Sequence, residues 1–329
     1  MKYFTSAYDV SSVEQLINEG LFLKNNPYAF SELGANKTLG LVFMNPSLRT
    51  RLSTLKAAQL LGMNTLNVNA QTESWALELN DVPMNGTTVE HIKEAAAVMG
   101  EYADIIGVRS FPSMKDRALD DSEKVFLDWI KYSGKPAISL ESATRHPLQS
   151  LADMMTIKEL FPDRKPKVVL LWAPHVKPVP QAVANSFCEW MKHISADFTV
   201  ACPDEARLSD EFISGIEITN NKKDALKDAD IIYVKSWCSY KNYGQLVQPD
   251  ENWTLTLDDL KITNNTKVMH CLPVRRDIEL ASEILDSNHS VVIRQASNRV
   301  PAAQAVLKRM LDGIVNETTD HLKLQQYEI

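Results

Sequence analysis

Apolar runs alternate with amphipathic stretches along most of this chain. The segments 38–44, 64–69, 104–109, 136–141, 167–172, 197–202, 230–235, 267–271 and 290–294 are strand candidates, most of them nearly continuous apolar runs. Between them, 51–61, 88–99, 122–132, 147–161, 181–193, 222–228 and 301–314 space their apolar residues as helices do. A strand without polar alternation is buried on both faces, and the intervening helices supply the cover. The pattern therefore predicts an α/β protein with doubly wound parallel sheets.

The sheet pattern restarts at Lys165-Pro166-Lys167-Val168-Val169, after the charged segment Pro162-Asp163-Arg164. This puts a domain boundary near 146–162, with the helix 147–161 as connector. The expected domains are 1–146 and 147–297, with the C-terminal helical segment 298–329 packing back onto the first. The 329 residues are too many for one ordinary core and suit two domains of about 150.

Polar residues gather at the predicted strand ends. Asn45-Pro46-Ser47-Leu48-Arg49-Thr50-Arg51 follows the first long apolar run. A strand opening into a helix there is an anion cradle: the first-turn N–H groups are unpaired, the dipole is positive, and Arg adds fixed donors. The plainer reading is a Ser-capped helix followed by a surface Arg. Arg109 closes another strand, where a long side chain can also simply snorkel to water. Arg145, His146 and Gln149 begin one helix, with His146 and Gln149 on a shared face. His270-Cys271-Leu272-Pro273 ends a later strand, and Cys271 reads as a packed thiol beside site-lining carbonyls. Such clusters suit a small, highly charged phosphate compound.

Composition narrows the options. At 44% apolar and 23% charged, the chain has the make-up of an ordinary globular protein. Its net charge of −7 gives no reason to expect nucleic acid or an anionic membrane. An anionic substrate must be drawn by local Arg and His instead. No secretory core and no apolar run near the roughly 20 residues of a membrane span is visible. The four widely spaced cysteines suit structural thiols in a reducing cytoplasm. With 11 glycines and neither GxGxxG nor GxxxxGK[ST], the chain lacks dinucleotide and P-loop signatures.

These residues resemble the aspartate/ornithine carbamoyltransferase superfamily. Ser47-Leu48-Arg49-Thr50 is similar to its Ser-Thr-Arg-Thr signature, with Leu replacing the commoner second residue. His146-Pro147-Leu148-Gln149 matches His-Pro-x-Gln, His270-Cys271-Leu272-Pro273 matches the ornithine branch, and Asn298-Arg299 matches a late Asn-Arg. The Ser-Met-Gly loop of ordinary ornithine enzymes is missing. Lys235-Ser236-Trp237 and the Pro-rich loop 174–180 look like the N-acylornithine branch instead.

The resemblance implies a carbamoyltransferase fold with a knotted chain, a homotrimer, and arginine biosynthesis through acylated intermediates. Domain 1–146 would bind carbamoyl phosphate and domain 147–297 the acylornithine. Ser47, Leu48, Arg49, Thr50, Trp75, Arg109, His146, Pro147, Leu148, Gln149, Cys271, Leu272 and Arg299 would hold carbamoyl phosphate, Trp75 being donated by a neighbouring subunit. Arg49, Thr50, Arg109 and His146 would be catalytic. Glu90, Glu141, His175, Lys235 and Arg275 would meet the acylornithine. An acylated α-nitrogen is neutral, so Lys235 would serve the carboxylate and no anion would be needed for an ammonium.

The framework looks succinyl-type, with Arg275 facing the distal succinyl carboxylate. Glu90 resembles the acetyl enzymes, since a carboxylate would repel a succinyl group; the plainer reading is a first-turn helix acid. No metal or organic cofactor is expected. The alternatives are transfer to another amine (ornithine, aspartate or a polyamine) or a non-catalytic phosphate-ligand sensor.

Overall fold

The computed structural model describes residues 1–70, 72–74, 76–249 and 252–325, with side chains followed as far as 314. Two compact units emerge. The first comprises Met1–Phe111, Glu123–Ser142 and the C-terminal run from Arg299; the second comprises Pro112–Ser122 and Ala143–Asn298. The division thus falls after Ser142 rather than after 146, and 112–122 leaves the first unit for the second. His146 and its helix, Pro147–Leu160, belong wholly to the second unit.

In the first unit, β1 (Tyr3–Phe4), β2 (Thr38–Phe43), β3 (Asn64–Asn69), β6 (Ile105–Arg109) and β7 (Ala137–Glu141) form a sheet in the order β1-β7-β6-β2-β3. Every pairing is parallel. β6 and β7 are buried at all five positions, so both faces are covered as the uninterrupted apolar runs require. A small parallel pair, β4 (Leu77–Glu78) and β5 (Glu90–His91), lies outside this sheet. The last helix, Arg299–Gln325, is tied to the helix Val13–Asn25 by Arg309 Nε on Glu19 at 2.6 Å and Lys308 Nζ on Glu19 at 3.1 Å.

In the second unit, β8 (Lys167–Trp172), β9 (Asp197–Ala201), β10 (Glu217–Thr219), β11 (Ile231–Lys235) and β12 (Lys267–Met269) form a second all-parallel sheet, ordered β10-β9-β8-β11-β12. Trp172, Trp190 and Tyr233 are among the largest wholly buried side chains here.

Each sheet reverses its strand order once, between β2 and β6 in the first and between β8 and β11 in the second. Ligands of open α/β sheets bind beyond the carboxyl ends of the strands at such switch points.

Several elements differ from the sequence pattern. The run 290–294 is not a strand: Ser290 makes one bridge to Val268, and the helix Val292–Ser297 follows. β12 stops at Met269, so a longer neighbour has nothing to pair with. The segment 88–99 opens as β5, and its helix begins only at Ile92. The helix Val13–Asn25 is missing from the pattern above although Val13, Leu16, Ile17, Gly20 and Leu23 share its buried face, while the two- and three-residue strands β1 and β10 are too short to stand out.

Candidate active site

The switch point of the first unit carries the cradle. Beyond β2 the turn is pinned to the end of β6: Met44 N donates to Arg109 O at 2.9 Å, and Asn45 Oδ1 accepts from Phe111 N at 2.7 Å. The helix Arg49–Leu60 then starts with Leu48 at its N-cap, and no side chain caps it. The Ser-capped alternative therefore fails locally, because Ser47 sits one residue too early. A helix start without a side-chain cap suits an external anionic acceptor. Leu48 itself is 66% exposed, and its side chain adds nothing polar.

Around this turn lie buried guanidinium and hydroxyl groups and one buried carboxylate. Thr50 is buried on the first helical turn, and Arg299 Nη2 donates to its Oγ1 at 2.7 Å. Arg299 arrives from the start of the last helix, nearly 250 residues away in sequence. Arg109, buried at the end of β6, ion-pairs through Nη1 with Glu141 at the end of β7. A register shift at Val108/Arg109 puts Glu141 opposite Arg109; such irregularities re-aim side chains at sheet ends. The guanidinium also lies 4.3 Å from the Phe111 ring centroid. Its Nε is buried with no hydrogen-bond partner among the described residues.

Glu90 occupies β5, held against β4, and is only half-buried. It is not a first-turn helix acid. The N-cap of the following helix is His91, whose side chain accepts from Lys93 N at 3.2 Å, and the first-turn acid is Glu94. Trp75 lies outside the described residues.

The second switch point is built differently. Lys235 ends β11 and is 7% exposed, yet the acceptor for its Nζ is the backbone oxygen of Ser236 at 2.6 Å. His175 follows β8 in the Pro-rich loop. Its Nε2 accepts from Arg275 Nε at 3.1 Å, and its Nδ1 bonds Lys177 O at 2.7 Å. Accepting on Nε2 from a guanidinium requires the neutral ring, and burial lowers the His175 pKa in the same direction. Arg275 is exposed, whereas Arg276 is engaged by both oxygens of Asp286 at 2.7 and 2.8 Å. Of the adjacent pair, only Arg275 meets the other predicted acceptor residues.

Of the remaining predicted residues, Gln149 and Leu272 are joined by one chain of hydrogen bonds. His146 is the N-cap residue of Pro147–Leu160, with Pro147 at N1, and both are buried with Leu148 and Gln149. Gln149 Nε2 donates to Asp153 Oδ1 at 2.8 Å; Gln295 Nε2 donates to the same oxygen at 2.7 Å. Gln295 Oε1 accepts from His270 N at 2.9 Å, and His270 Nδ1 accepts from Leu272 N at 2.9 Å. Leu272 sits at φ 56, a left-handed conformation costly for a branched side chain, which turns its carbonyl away from the strand direction. Cys271 is half-buried.

Behind this turn Glu279 accepts from His270 Nε2 at 3.3 Å and from Arg275 N at 2.8 Å. Burial opposes its ionisation. The His270 hydrogen bond and the Lys235 ammonium overcome that and hold it down to about 2. Arg145, by contrast, points to Glu189 at 2.8 Å and Glu211 at 2.7 Å, a structural tie that removes it from the donors beside His146.

Asp153, Gln295 and Glu279 escaped the sequence reading. A carboxylate four residues after Gln149, set among Leu151, Ala152, Met154 and Met155, was the available signal for Asp153. Among the described residues no group of three or more His, Cys, Asp or Glu could hold a metal, and no helix is long and apolar enough to cross a membrane.

Residues 2–159 match the family model described as aspartate/ornithine carbamoyltransferase, carbamoyl-P binding domain, and 180–310 match the Asp/Orn binding domain. The chain is 44% identical over 317 residues to N-succinylornithine carbamoyltransferase of Bacteroides thetaiotaomicron, covering 95% of this chain and 100% of that one. It is 33% identical to N-acetylornithine carbamoyltransferase of Xanthomonas campestris, over 94% and 98% of the two chains. A crystal structure of N-acetyl-L-ornithine transcarbamylase superimposes with TM-score 0.87 at 30% identity, over 94% of this chain and 100% of that one. It is a glutamate-to-proline variant complexed with carbamyl phosphate and N-succinyl-L-norvaline.

Proposed function

The chain belongs to the aspartate/ornithine carbamoyltransferase family, and from that premise we propose that it carbamoylates the δ-amine of an N2-acyl-L-ornithine. The products are the N-acylcitrulline and phosphate, a step of arginine biosynthesis through acylated intermediates. The observation that carries the acceptor class is Lys235, a buried ammonium whose hydrogen-bond acceptor is a backbone carbonyl. Glu279 feels its charge, but among the described residues no side-chain oxygen hydrogen-bonds the ammonium, so it can still donate to a substrate anion. The α-carboxylate of an amino acid with a neutral, acylated nitrogen is such an anion.

In this reading Ser47, Leu48, Arg49, Thr50, Arg109 and Arg299 receive the phosphate of carbamoyl phosphate, using first-turn N–H groups and guanidinium donors. His146, Gln149 and the Leu272 carbonyl serve the carbamoyl group. The neutral δ-amine attacks the carbonyl carbon, giving a tetrahedral intermediate that expels phosphate. Arg49, Thr50, Arg109 and His146 stabilise the oxygen as it gains charge and the phosphate as it leaves. In this reading Glu141, ion-paired with Arg109, steadies a phosphate donor, rather than meeting the acylornithine as expected for it. Binding by fixed donors converts substrate affinity into alignment for attack.

For the acyl group, Arg275 and His175 supply the succinyl-type framework, and Glu90 shifts preference toward acetyl. The solved glutamate-to-proline relative with bound N-succinyl-L-norvaline supports looking to a glutamate for this choice. The enzyme acts as a cytoplasmic homotrimer.

Side-by-side turnover of N-acetyl- and N-succinyl-ornithine tests the assignment. Glu90→Pro is expected to raise the succinyl-to-acetyl activity ratio by about tenfold, the scale of one lost charge repulsion. An unchanged ratio removes Glu90 from the specificity argument. Activity on free ornithine alone removes the acylornithine reading altogether.

A further inference from the structure

In the second unit a single carboxylate joins two stretches of chain that lie far apart in sequence. Asp153 is wholly buried on the helix Pro147–Leu160, one turn beyond Gln149. Its Oδ1 accepts from Gln149 Nε2 at 2.8 Å and from Gln295 Nε2 at 2.7 Å. Gln295, also wholly buried, passes the link on by accepting His270 N on its Oε1 at 2.9 Å.

An amide side chain has one donating end and one accepting end. Asp153 takes the donating end of both glutamines, so it fixes the direction of both. The oxygen of Gln149 is thereby the end turned away from Asp153. The oxygen of Gln295 is turned onto the backbone at His270, where the chain leaves β12 for the left-handed Leu272. Leu272 N is in turn bonded to His270 Nδ1 at 2.9 Å, which fixes the Cys271–Leu272 peptide from which the left-handed Leu272 carries the chain to its own carbonyl. Burying a carboxylate is costly, and a helix in an apolar core needs none for packing. A carbamoyl NH2 group carries two N–H donors and is held in a plane only by two acceptors set at the correct angle.

We propose that Asp153 is a positioning residue which, through Gln149 and Gln295, aims the two acceptors of the carbamoyl NH2: Gln149 Oε1 and the Leu272 carbonyl. This rests on the carbamoyl-transfer reading above. Asp153 touches neither substrate; it determines which way the touching groups face. The phosphate cradle of the first unit contains none of these residues.

The test compares the full-length enzyme with Asp153→Ala, Asp153→Asn and Gln295→Met, using carbamoyl phosphate as substrate and inorganic phosphate as a competing inhibitor. Asp153→Ala and Gln295→Met are expected to lower kcat/KM for carbamoyl phosphate by roughly 10- to 100-fold, the rate equivalent of a hydrogen bond to a charged group. Their inhibition by inorganic phosphate stays within about twofold of the parent. Asp153→Asn, which keeps an oxygen acceptor for both glutamines, recovers most of the loss. Gln295→Met has nearly the same volume, which keeps the comparison available if Asp153→Ala does not fold.

Phosphate inhibition that weakens in step with kcat/KM overturns the proposal, because the damage is then general. Unchanged kcat/KM in Asp153→Ala or in Gln295→Met also overturns it. A parent enzyme that transfers no carbamoyl group overturns the functional reading, and this inference with it; an active parent with indifferent variants overturns the inference alone.

Discussion

The two switch points use charge in different ways. In the first unit Arg299 reaches Thr50 on a helix that opens at Arg49 without a side-chain cap, and Arg109, at the end of the neighbouring strand β6, is paired with Glu141. In the second unit most polar groups satisfy one another: Gln149, Asp153, Gln295, His270, Glu279 and the Arg275 backbone form a continuous chain, and Lys235 is the buried cation beside it. A dianionic phosphate demands several strong donors arranged in advance. A neutral amide and a single carboxylate demand orientation more than charge. The difference teaches that cationic excess marks the anion's end of the chemistry, while a closed network marks the end where direction matters.

Removing a donor from the first region should have the largest effect. Arg49→Ala is expected to lower formation of the citrulline derivative by about 10²- to 10³-fold, as measured by a colorimetric ureido assay. Activity near that of the parent would show that the cradle is not the catalytic anion site. Next comes the lone buried cation of the second region. Lys235→Ala should raise KM for the acylornithine by roughly 10- to 100-fold while KM for carbamoyl phosphate changes little. Equal changes in both would erase the division of labour between the regions.

The network itself can be titrated. Glu279 has its pKa depressed from 4.5 to about 2, so its ionised form is favoured by folding. Its contribution to stability is complete above the unfolded value and is lost as the pH falls from 4.5 toward 2. Thermal unfolding should therefore show Glu279→Gln strongly destabilised at neutral pH and progressively less so in acid. A penalty independent of pH would mean that charge is not what holds the turn.

The smallest effect separates two adjacent arginines. Arg275→Ala should weaken N-succinylornithine turnover severalfold, whereas Arg276→Ala should leave it within about twofold, since the exposed Arg276–Asp286 pair does local work only. Steady-state rates on both acyl substrates decide it.

The apolar runs alone determined the parallel sheets, because strands buried on both faces leave no other pattern. They also put Ser47–Thr50, Arg109, Lys235 and His270–Leu272 at strand ends. The run 290–294 misled because its Val-Val-Ile has strand character, yet β12 is too short to pair with it. Tertiary structure decided everything that depends on contacts distant in sequence. It turned Arg145 away to Glu189, set Glu141 opposite Arg109 through a register shift, and brought Arg299 to Thr50. It also joined Gln149 to Gln295 through Asp153. Periodicity records which face of an element is buried, so it could reveal the sheets. A hydrogen bond depends on which ends of two side chains meet, and no local pattern encodes that.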